Sequence, residues 1–271
     1  MTIYLLVMNI PIESIVAKAP QALLPVELHQ LILDYTDFLT QIRIRCVNKL
    51  FYLKLEIRDF FHIAGKYQDL LTDNILRSYP FIRKICVRIS DPKITTLNNF
   101  THLEQLHAGA LTDISDKDIR DLTNLTFLNA YHNPLITNVN HLTKLKVLDA
   151  TMRSGIDDVG LYNLNLKELH VWGNIKITNL NHMTTLEILD VSGECGIGDE
   201  GIIELNLREL YARNNPKITK IKHMTRLEVL CAGGSCGISE EDIQSLNLKE
   251  LYMDYNPKYT RPSVPRKLTP K

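Results

Sequence analysis

The chain has 271 residues, and its 31 Lys and Arg residues are balanced by 31 Asp and Glu residues. That length allows one or two domains with a sizeable core, and the zero net charge excludes a general electrostatic attraction to nucleic acid or to an anionic membrane. The apolar start MTIYLLVM lacks a basic flank and meets Pro11 too early for a signal peptide or a membrane span. The five cysteines are odd in number and form no CxxC pair. We therefore expect a soluble intracellular protein, cytoplasmic or nuclear, with reduced thiols.

Two segments precede any repetition in the sequence. Residues 1–23 form a mixed apolar and polar N-terminal arm, for which a short helix and an extended segment are both compatible with the composition. Residues 24–58 predict a compact bundle of three short helices. Pro25 stands at a favourable first helical position, and Leu28, Leu31 and Ile32 follow at helical spacing.

The segment 24–58 resembles the F-box, a small helical domain. LPVEL at 24–28, ILDY at 32–35 and RIRCVNKLF at 43–51 match the usual LPxEL, IL-x-Y and arginine-rich V-x-x-x-F patterns, with departures at Thr36 and at Cys46-Val47. The resemblance implies docking on the Skp-type adaptor of a cullin–RING ubiquitin ligase. It assigns adaptor-facing or bundle-forming roles to Leu24, Pro25, Leu28, Ile32, Leu33, Val47, Leu50 and Phe51. The alternative is a helical cap on the repeats that follow.

The rest of the chain is dominated by a repeat. Residues 164–204 and 205–245 are identical at 21 of 41 positions, and each copy divides into units of 20 and 21 residues that begin LxxLxL. This is the leucine-rich repeat pattern. It predicts an α/β solenoid of nine repeats of 20–22 residues over residues 82–256. The strand units start at Ile82, Leu103, Leu125, Leu145, Leu166, Leu186, Leu207, Leu227 and Leu248.

Three further predictions concern the segments around and within the repeats. The connector 59–81 looks like the helical half of a repeat and should cover the open N-terminal end of the array. The even-numbered units should each contain a short helix with acidic residues in its first turn, at SDKDIRDL, DDVGLYNL, GDEGIIEL and SEEDIQSL. The tail 257–271 has four prolines, five Lys or Arg residues and no acid, which favours a disordered basic tail.

Three columns of recurring residues are interpreted as structural. Asn133, Asn174, Asn215 and Asn256 should bond to backbone groups where each strand turns. His141, His182 and His223 stand two strands apart, roughly 10 Å from each other, so they cannot share one zinc ion. Cys195 and Cys236 should be buried thiols.

The inner face of the sheet is the predicted binding surface. Side chains alternate across a strand, so the residues between the leucines should line that face. Trp, Tyr and Arg are enriched among binding hot spots, and Asp149, His170 and Asp190 fall on three consecutive strands. Two flanking carboxylates should raise the pKa of His170. The predicted target-binding residues are Tyr131, Asp149, His170, Trp172, Asp190, Tyr211, Arg213 and Tyr252.

These observations lead to one functional hypothesis and one alternative. The sequence contains no nucleophile elbow, phosphate-binding glycine loop, HExxH motif or paired catalytic acids, so we expect no enzyme activity, no cofactor and no bound metal. The F-box resemblance implies a non-catalytic substrate-recognition subunit of an SCF-type ubiquitin ligase. Its partners would be the Skp-type adaptor with its cullin and an unidentified target protein. The alternative is a protein-binding repeat scaffold without a role in ubiquitin ligation.

Overall fold

The structure is a computed structural model that describes residues 56–60, 72–87, 94, 96–110, 112–258 and 266–267, with isolated positions at 30, 34, 41 and 45. The predicted arm 1–23 and all eight predicted adaptor-binding residues lie outside the described residues. Gln30 and Asp34 do contact the start of the array. Gln30 Oε1 accepts from the Glu56 backbone N–H at 2.7 Å, and Arg58 pairs with Asp34 at 2.9 Å.

Eleven strands of the described residues form one sheet in sequential order. The strands are β1 Asp59–Phe60, β2 Lys84–Cys86, β3 Gln105–His107, β4 Phe127–Asn129, β5 Val147–Asp149, β6 Glu168–His170, β7 Ile188–Asp190, β8 Glu209–Tyr211, β9 Val229–Cys231, β10 Glu250–Tyr252 and β11 Arg266–Lys267. From β1 to β10 every neighbouring pair is parallel, and the third residues of β5, β6 and β7 lie in register as Asp149, His170 and Asp190. The parallel-strand leucine-rich-repeat solenoid is confirmed, and β2–β10 are its nine predicted strands.

The two ends of the sheet carry strands that the sequence did not predict. In the connector, β1 pairs with β2, and Phe60, which is buried, packs edge-on against Tyr79 with ring centroids 5.1 Å apart. In the tail, β11 pairs antiparallel with β10, and the neighbouring residues 259–265 and 268–271 lie outside the described residues. An end strand has unpaired N–H and C=O groups, and pairing with β11 satisfies part of that row on β10.

Leucines and isoleucines of successive repeats stack into one continuous core. The middle residue of each strand from β2 to β9 is buried, as are the first leucine of each unit and the residue that follows each strand. Burial of one such side chain contributes about 1.5–3 kcal/mol to stability. No unit can bury its apolar side alone, so the stability of each repeat depends on its two neighbours.

The short helices form in only some of the even-numbered units. Residues Asp116–Ile119 (α2) and Glu240–Ile243 (α3) are α-helical, as is Asp73–Leu76 (α1) in the connector, whereas Asp199–Gly201 is a 3-10 helix and residues 158–163 form turns. The prediction of a short helix therefore holds for three of the four segments, one of them as a 3-10 helix, and is wrong for DDVGLYNL. Both α2 and α3 have a capping box between a serine and an aspartate three residues later. Gly160 and Gly201 occupy the aspartate position in the other two segments.

The glycines at those positions permit a close approach between turns. A Cβ added to Gly160 would lie 2.0 Å from the Thr137 carbonyl oxygen, and one added to Gly201 would lie 2.2 Å from that of Thr178. The same approach lets the carbonyl oxygens of both glycines accept backbone hydrogen bonds at 2.8 Å, from Val139 and Leu180. In these two segments a glycine stands where α2 and α3 have the capping aspartate, so the capping box is absent and the turns lie closer together.

An aspartate at the start of three of these segments also joins one turn to the next. Asp158 accepts from the Thr178 backbone N–H at 2.8 Å and from its hydroxyl at 2.6 Å. Asp116 with Thr137 and Asp199 with Thr219 repeat the arrangement. The acidic residues that the sequence assigned to the helix dipole therefore also form side-chain bonds between consecutive repeats.

Candidate protein-binding face

The sheet presents its first and third strand residues on one open side, which we call the inner face. On β2–β9 the middle residue is buried and its two neighbours are half-buried, as the alternation of side chains predicts. Asp149, His170, Asp190 and Tyr211 are the third residues of β5–β8 and are direct neighbours in register. Tyr252 holds the same position on β10, and Cys231 lies between the two tyrosines.

The other predicted target-binding residues follow the strands by two positions. Tyr131, Trp172 and Arg213 come after β4, β6 and β8, and all three are exposed. Trp172, the only tryptophan of the chain, is 42% exposed. Its ring lies against Gly193, where an added Cβ would stand 2.6 Å from Trp172 Nε1. The glycine thus provides the space that holds the indole at the edge of the inner face.

His170 has two carboxylate neighbours, but only one is a predicted one. Asp190 Oδ2 lies 4.0 Å from His170 Nδ1, and Glu168 Oε1 lies 2.8 Å from His170 Nε2. The Asp190 and Glu168 carboxylates raise the pKa of His170 to about 9, against the opposing effect of partial burial. The predicted rise is confirmed. The prediction that Asp149 helps to raise this pKa is wrong, because its carboxylate instead accepts from Asn129 Nδ2 at 2.9 Å and from the Thr151 hydroxyl at 2.8 Å.

Glutamates at the first strand position are the residues that the sequence analysis missed. Tyr211 donates its hydroxyl to Glu209 at 3.1 Å, and Tyr252 donates to Glu250 at 2.7 Å. Partial burial and the Glu209 carboxylate raise the pKa of Tyr211 to about 12, which keeps the hydroxyl protonated as a donor. The alternation that identified the third strand residues also places the first ones on the same face, so the signal was present in the sequence.

The asparagine column is structural, as predicted. All four asparagines are buried, and each side-chain amide donates to backbone carbonyl groups of the preceding repeat. Asn174, for example, donates to Ala150 at 2.8 Å and to Ile156 at 3.2 Å, and accepts from the Lys176 backbone N–H at 2.9 Å. One amide therefore bonds to three backbone groups at a place where the chain leaves the sheet.

Two of the three histidines and the cysteines of the other columns also contact backbone groups. His141 and His223 place Nε2 at 3.1 and 3.3 Å from carbonyl oxygens of the preceding repeat, while His182 lies beside the Tyr162 ring. Cys195 is buried and donates to the Val191 carbonyl at 3.1 Å. Burial raises the pKa of the Cys195 and Cys236 thiols, which confirms the prediction of buried structural thiols.

A cavity of about 200 Å³ lies beside β1 and β2, and most of the charged groups around it are paired. Arg58 contacts Asp34 at 2.9 Å, and Lys84 contacts Asp59 at 3.7 Å. Among the described residues there is no cluster of three or more His, Cys, Asp or Glu side chains that could hold a metal ion, and no helix has the length and apolarity to cross a membrane. The inner face instead carries Trp, Tyr and Arg side chains, the residue types that are enriched in protein-binding sites.

Comparisons with known proteins find similarity at the level of structure. No protein-family model and no curated protein matches the sequence. An internalin C2 of Listeria monocytogenes is 26% identical over 64% of this chain and 80% of its own, with a TM-score of 0.49. An internalin InlF of the same organism is 16% identical over 92% of this chain and 93% of its own, with a TM-score of 0.46. A TLR13 chain from a complex with ssRNA13 is 18% identical over 83% of this chain and 31% of its own, with a TM-score of 0.40.

Proposed function

We propose that the chain is a non-catalytic protein-binding scaffold and that the inner face binds the target protein. The observation that carries the proposal is the placement of Trp172, Tyr211, Arg213 and Tyr252 on or just after alternate strands of one sheet face, with Trp172 42% exposed. Aromatic and arginine side chains dominate binding energy in protein interfaces. Sheet residues lose little conformational freedom on binding, because their neighbours already hold them in place.

The proposal is tested by capture of partners with the intact chain and with two variants. The double variant Trp172→Ala and Tyr211→Ala should lose the partners that the unmodified chain retains, since truncation of one hot-spot residue costs about 2 kcal/mol or more. Tyr162→Ala is the matched control, because Tyr162 is 67% exposed and lies in the turns between strands rather than on the sheet. Equal recovery of partners by both variants would move the binding site away from the inner face.

We further propose a specific role for this scaffold, as the substrate-recognition subunit of an SCF-type ubiquitin ligase. The support is the match of residues 24–51 to the F-box pattern, above all Leu24, Pro25 and the run RIRCVNKLF. In this role the helical segment binds the Skp-type adaptor, the repeats bind the target, and partner subunits carry out the chemistry. The role would place the protein in the cytoplasm or the nucleus. The competing proposal is a scaffold whose N-terminal segment only covers the array.

Affinity purification followed by mass spectrometry separates the two. A Skp-type adaptor and a cullin should co-purify with the unmodified chain and should be lost on Leu24→Ala with Pro25→Ala, while circular dichroism of the repeats stays unchanged. Pro20→Ala, in the preceding arm, is the matched control and should retain both partners. If the unmodified chain recovers no adaptor, the ligase role is rejected and the scaffold remains.

A further inference from the structure

The inner face repeats with a period of two strands. On β6, β8 and β10 a glutamate at the first position accepts a hydrogen bond from the ring at the third position of the same strand. The pairs are Glu168 with His170 at 2.8 Å, Glu209 with Tyr211 at 3.1 Å, and Glu250 with Tyr252 at 2.7 Å. These three ring–carboxylate pairs are related by the 41-residue repeat of the sequence.

The strands between them carry a different arrangement. In register with the glutamates, β7 presents Ile188 and β9 presents Val229, both half-buried. The third positions of these strands hold the smaller side chains of Asp190 and Cys231. Across the strands, the face therefore alternates between a ring bonded to a carboxylate and a strand of smaller side chains whose first residue, Ile188 or Val229, is apolar. We call the space over Ile188 and over Val229 a trough.

The spacing of this pattern limits which conformation of a bound peptide can match it. Adjacent strands lie about 4.8 Å apart, so the glutamates recur about every 9.6 Å. A left-handed polyproline helix rises about 3.1 Å per residue with three residues per turn, and presents every third side chain on one side about 9.3 Å apart. An α-helix presents residues three or four apart on one side, about 4.5–6 Å along its axis, and the next aligned residue is seven positions on, about 10.5 Å away. A flat β-strand presents alternate residues on one side, about 6.7 or 13 Å apart. The polyproline geometry matches best.

The charge of the face selects the side chains of such a partner. On β5–β10 and the two residues after each strand, carboxylates outnumber the two cationic side chains of the face, His170 and Arg213. Arg208, at the rim, pairs with Glu209 at 2.8 Å. The carboxylates are Asp149, Glu168, Asp190, Glu209, Glu250 and Asp254. The face therefore keeps an excess of negative charge even though Glu168 is paired with His170 and Glu209 with Arg208, and this excess favours a partner segment with regularly placed cationic groups.

We propose that the inner face from β6 to β10 binds a polyproline segment that crosses the strands and carries Lys or Arg at every third residue. The cationic groups pair with Glu168, Glu209 and Glu250, and the prolines between them pack on the tyrosine rings and in the troughs over Ile188 and Val229. Aromatic-lined grooves accommodate polyproline segments because such segments lose little entropy on binding. The inference rests on the proposed scaffold function and specifies its target.

The test uses the full chain and two labelled peptides in fluorescence anisotropy. One peptide repeats the unit Lys-Pro-Pro, and the other has the same composition with lysines spaced alternately two and four residues apart. The regular peptide should bind at least about tenfold more tightly, because only its charges meet all three glutamates. Glu209→Gln and Glu250→Gln should each weaken it about tenfold. Glu204→Gln is the control, since Glu204 is exposed and lies off the sheet, and it should leave binding unchanged.

Several results would overturn the inference. Equal affinity for both peptides would indicate attraction by net charge alone, and preference for an α-helical peptide with lysines seven residues apart would indicate a helical partner. The peptides could also bind only after Arg266→Glu and Lys267→Glu are introduced into the full chain. That result would show that the chain's own basic tail, and not a partner segment, occupies the inner face. If peptides fail but capture of the target still depends on Trp172 and Tyr211, only this inference fails. If the peptides bind while capture is insensitive to both aromatics, the proposed function fails instead.

Discussion

Replacement of Asn174 by alanine tests how the repeats are held together. The side chain is 1% exposed, donates to the Ala150 and Ile156 carbonyl oxygens, and accepts from the Lys176 N–H. Its removal deprives three backbone groups of a partner at a buried site. Each unsatisfied buried polar group costs about 1–3 kcal/mol. After local relaxation we expect a loss of about 3 kcal/mol in the free energy of unfolding, or a Tm lower by about 6–12 °C for a chain of this size.

Asn181→Ala is the matched control for this experiment. Asn181 also donates to a backbone carbonyl, that of Glu200 at 2.8 Å, and accepts from a backbone N–H, that of Glu204 at 3.0 Å, but both bonds are exposed to water. Water replaces the lost partner there, so the expected cost is below about 1 kcal/mol. Urea unfolding followed by far-UV circular dichroism measures both variants. If the two variants lose the same stability to within about 0.5 kcal/mol, the buried asparagines do not hold the turns as argued.

Three further predictions follow from the same geometry. First, because the folded pKa of His170 is about 9 and its unfolded pKa is near 6.5, the stabilisation from its charged form is fully present below about pH 6.5 and is lost as the pH rises through 9. An NMR titration should therefore give a pKa near 9, and His170→Gln should remove this pH dependence of stability, whereas a pKa near 6.5 would refute the paired imidazolium. Second, Gly193→Ala should destabilise the chain by about 1–2 kcal/mol, since φ is +68° and the new methyl group meets the Trp172 indole. A blue or red shift of the indole fluorescence reports the displacement, and an unchanged spectrum with unchanged Tm would contradict the contact. Third, deletion of residues 1–80 removes β1 from β2 and exposes buried Ile82 and Ile85, so the fragment should aggregate. A soluble monomer with a sharp thermal transition would show that the array needs no N-terminal cover.

The parts of the fold that follow a short period were predictable from the sequence. Leu169 and Val171 define a buried side by alternation, Leu166 completes the LxxLxL pattern, and the same pattern locates every strand from β2 to β10. Asn174 was predictable because a polar residue fixed at one position of a repeat, at a strand end, must meet unpaired backbone groups. These features depend on one residue and its immediate neighbours in the chain.

Features that depend on contacts between repeats were not predictable in the same way. Both Asp149 and Glu168 lie on the inner face near His170, but only Glu168 bonds to its ring, while Asp149 accepts a hydrogen bond from Asn129. Alternation places a residue on a face but does not assign its hydrogen bonds. The pairing of Arg266–Lys267 with β10 depends in the same way on an end strand left unsatisfied by the array rather than on the composition of the tail.

Left-handed backbone after each strand is a further feature that the sequence signalled only weakly. Positive φ occurs at one equivalent position in eight consecutive units, and only three of these residues are glycines. Met152 has φ of +60° and still donates its N–H to the Trp172 carbonyl at 2.7 Å. The inter-strand hydrogen bond offsets a backbone cost of roughly 1–2 kcal/mol. A non-glycine residue at such a position gives no local sign of it.

Site-specific photo-crosslinking tests the central claim most directly. A photoreactive phenylalanine analogue placed at position 172 lies on the inner face, and the same analogue at position 162 lies in the exposed turns between strands. The account predicts that position 172 forms a covalent adduct with the target recovered by the unmodified chain and that position 162 does not. An adduct formed from position 162 and not from position 172 would contradict the assignment of the inner face as the target-binding surface.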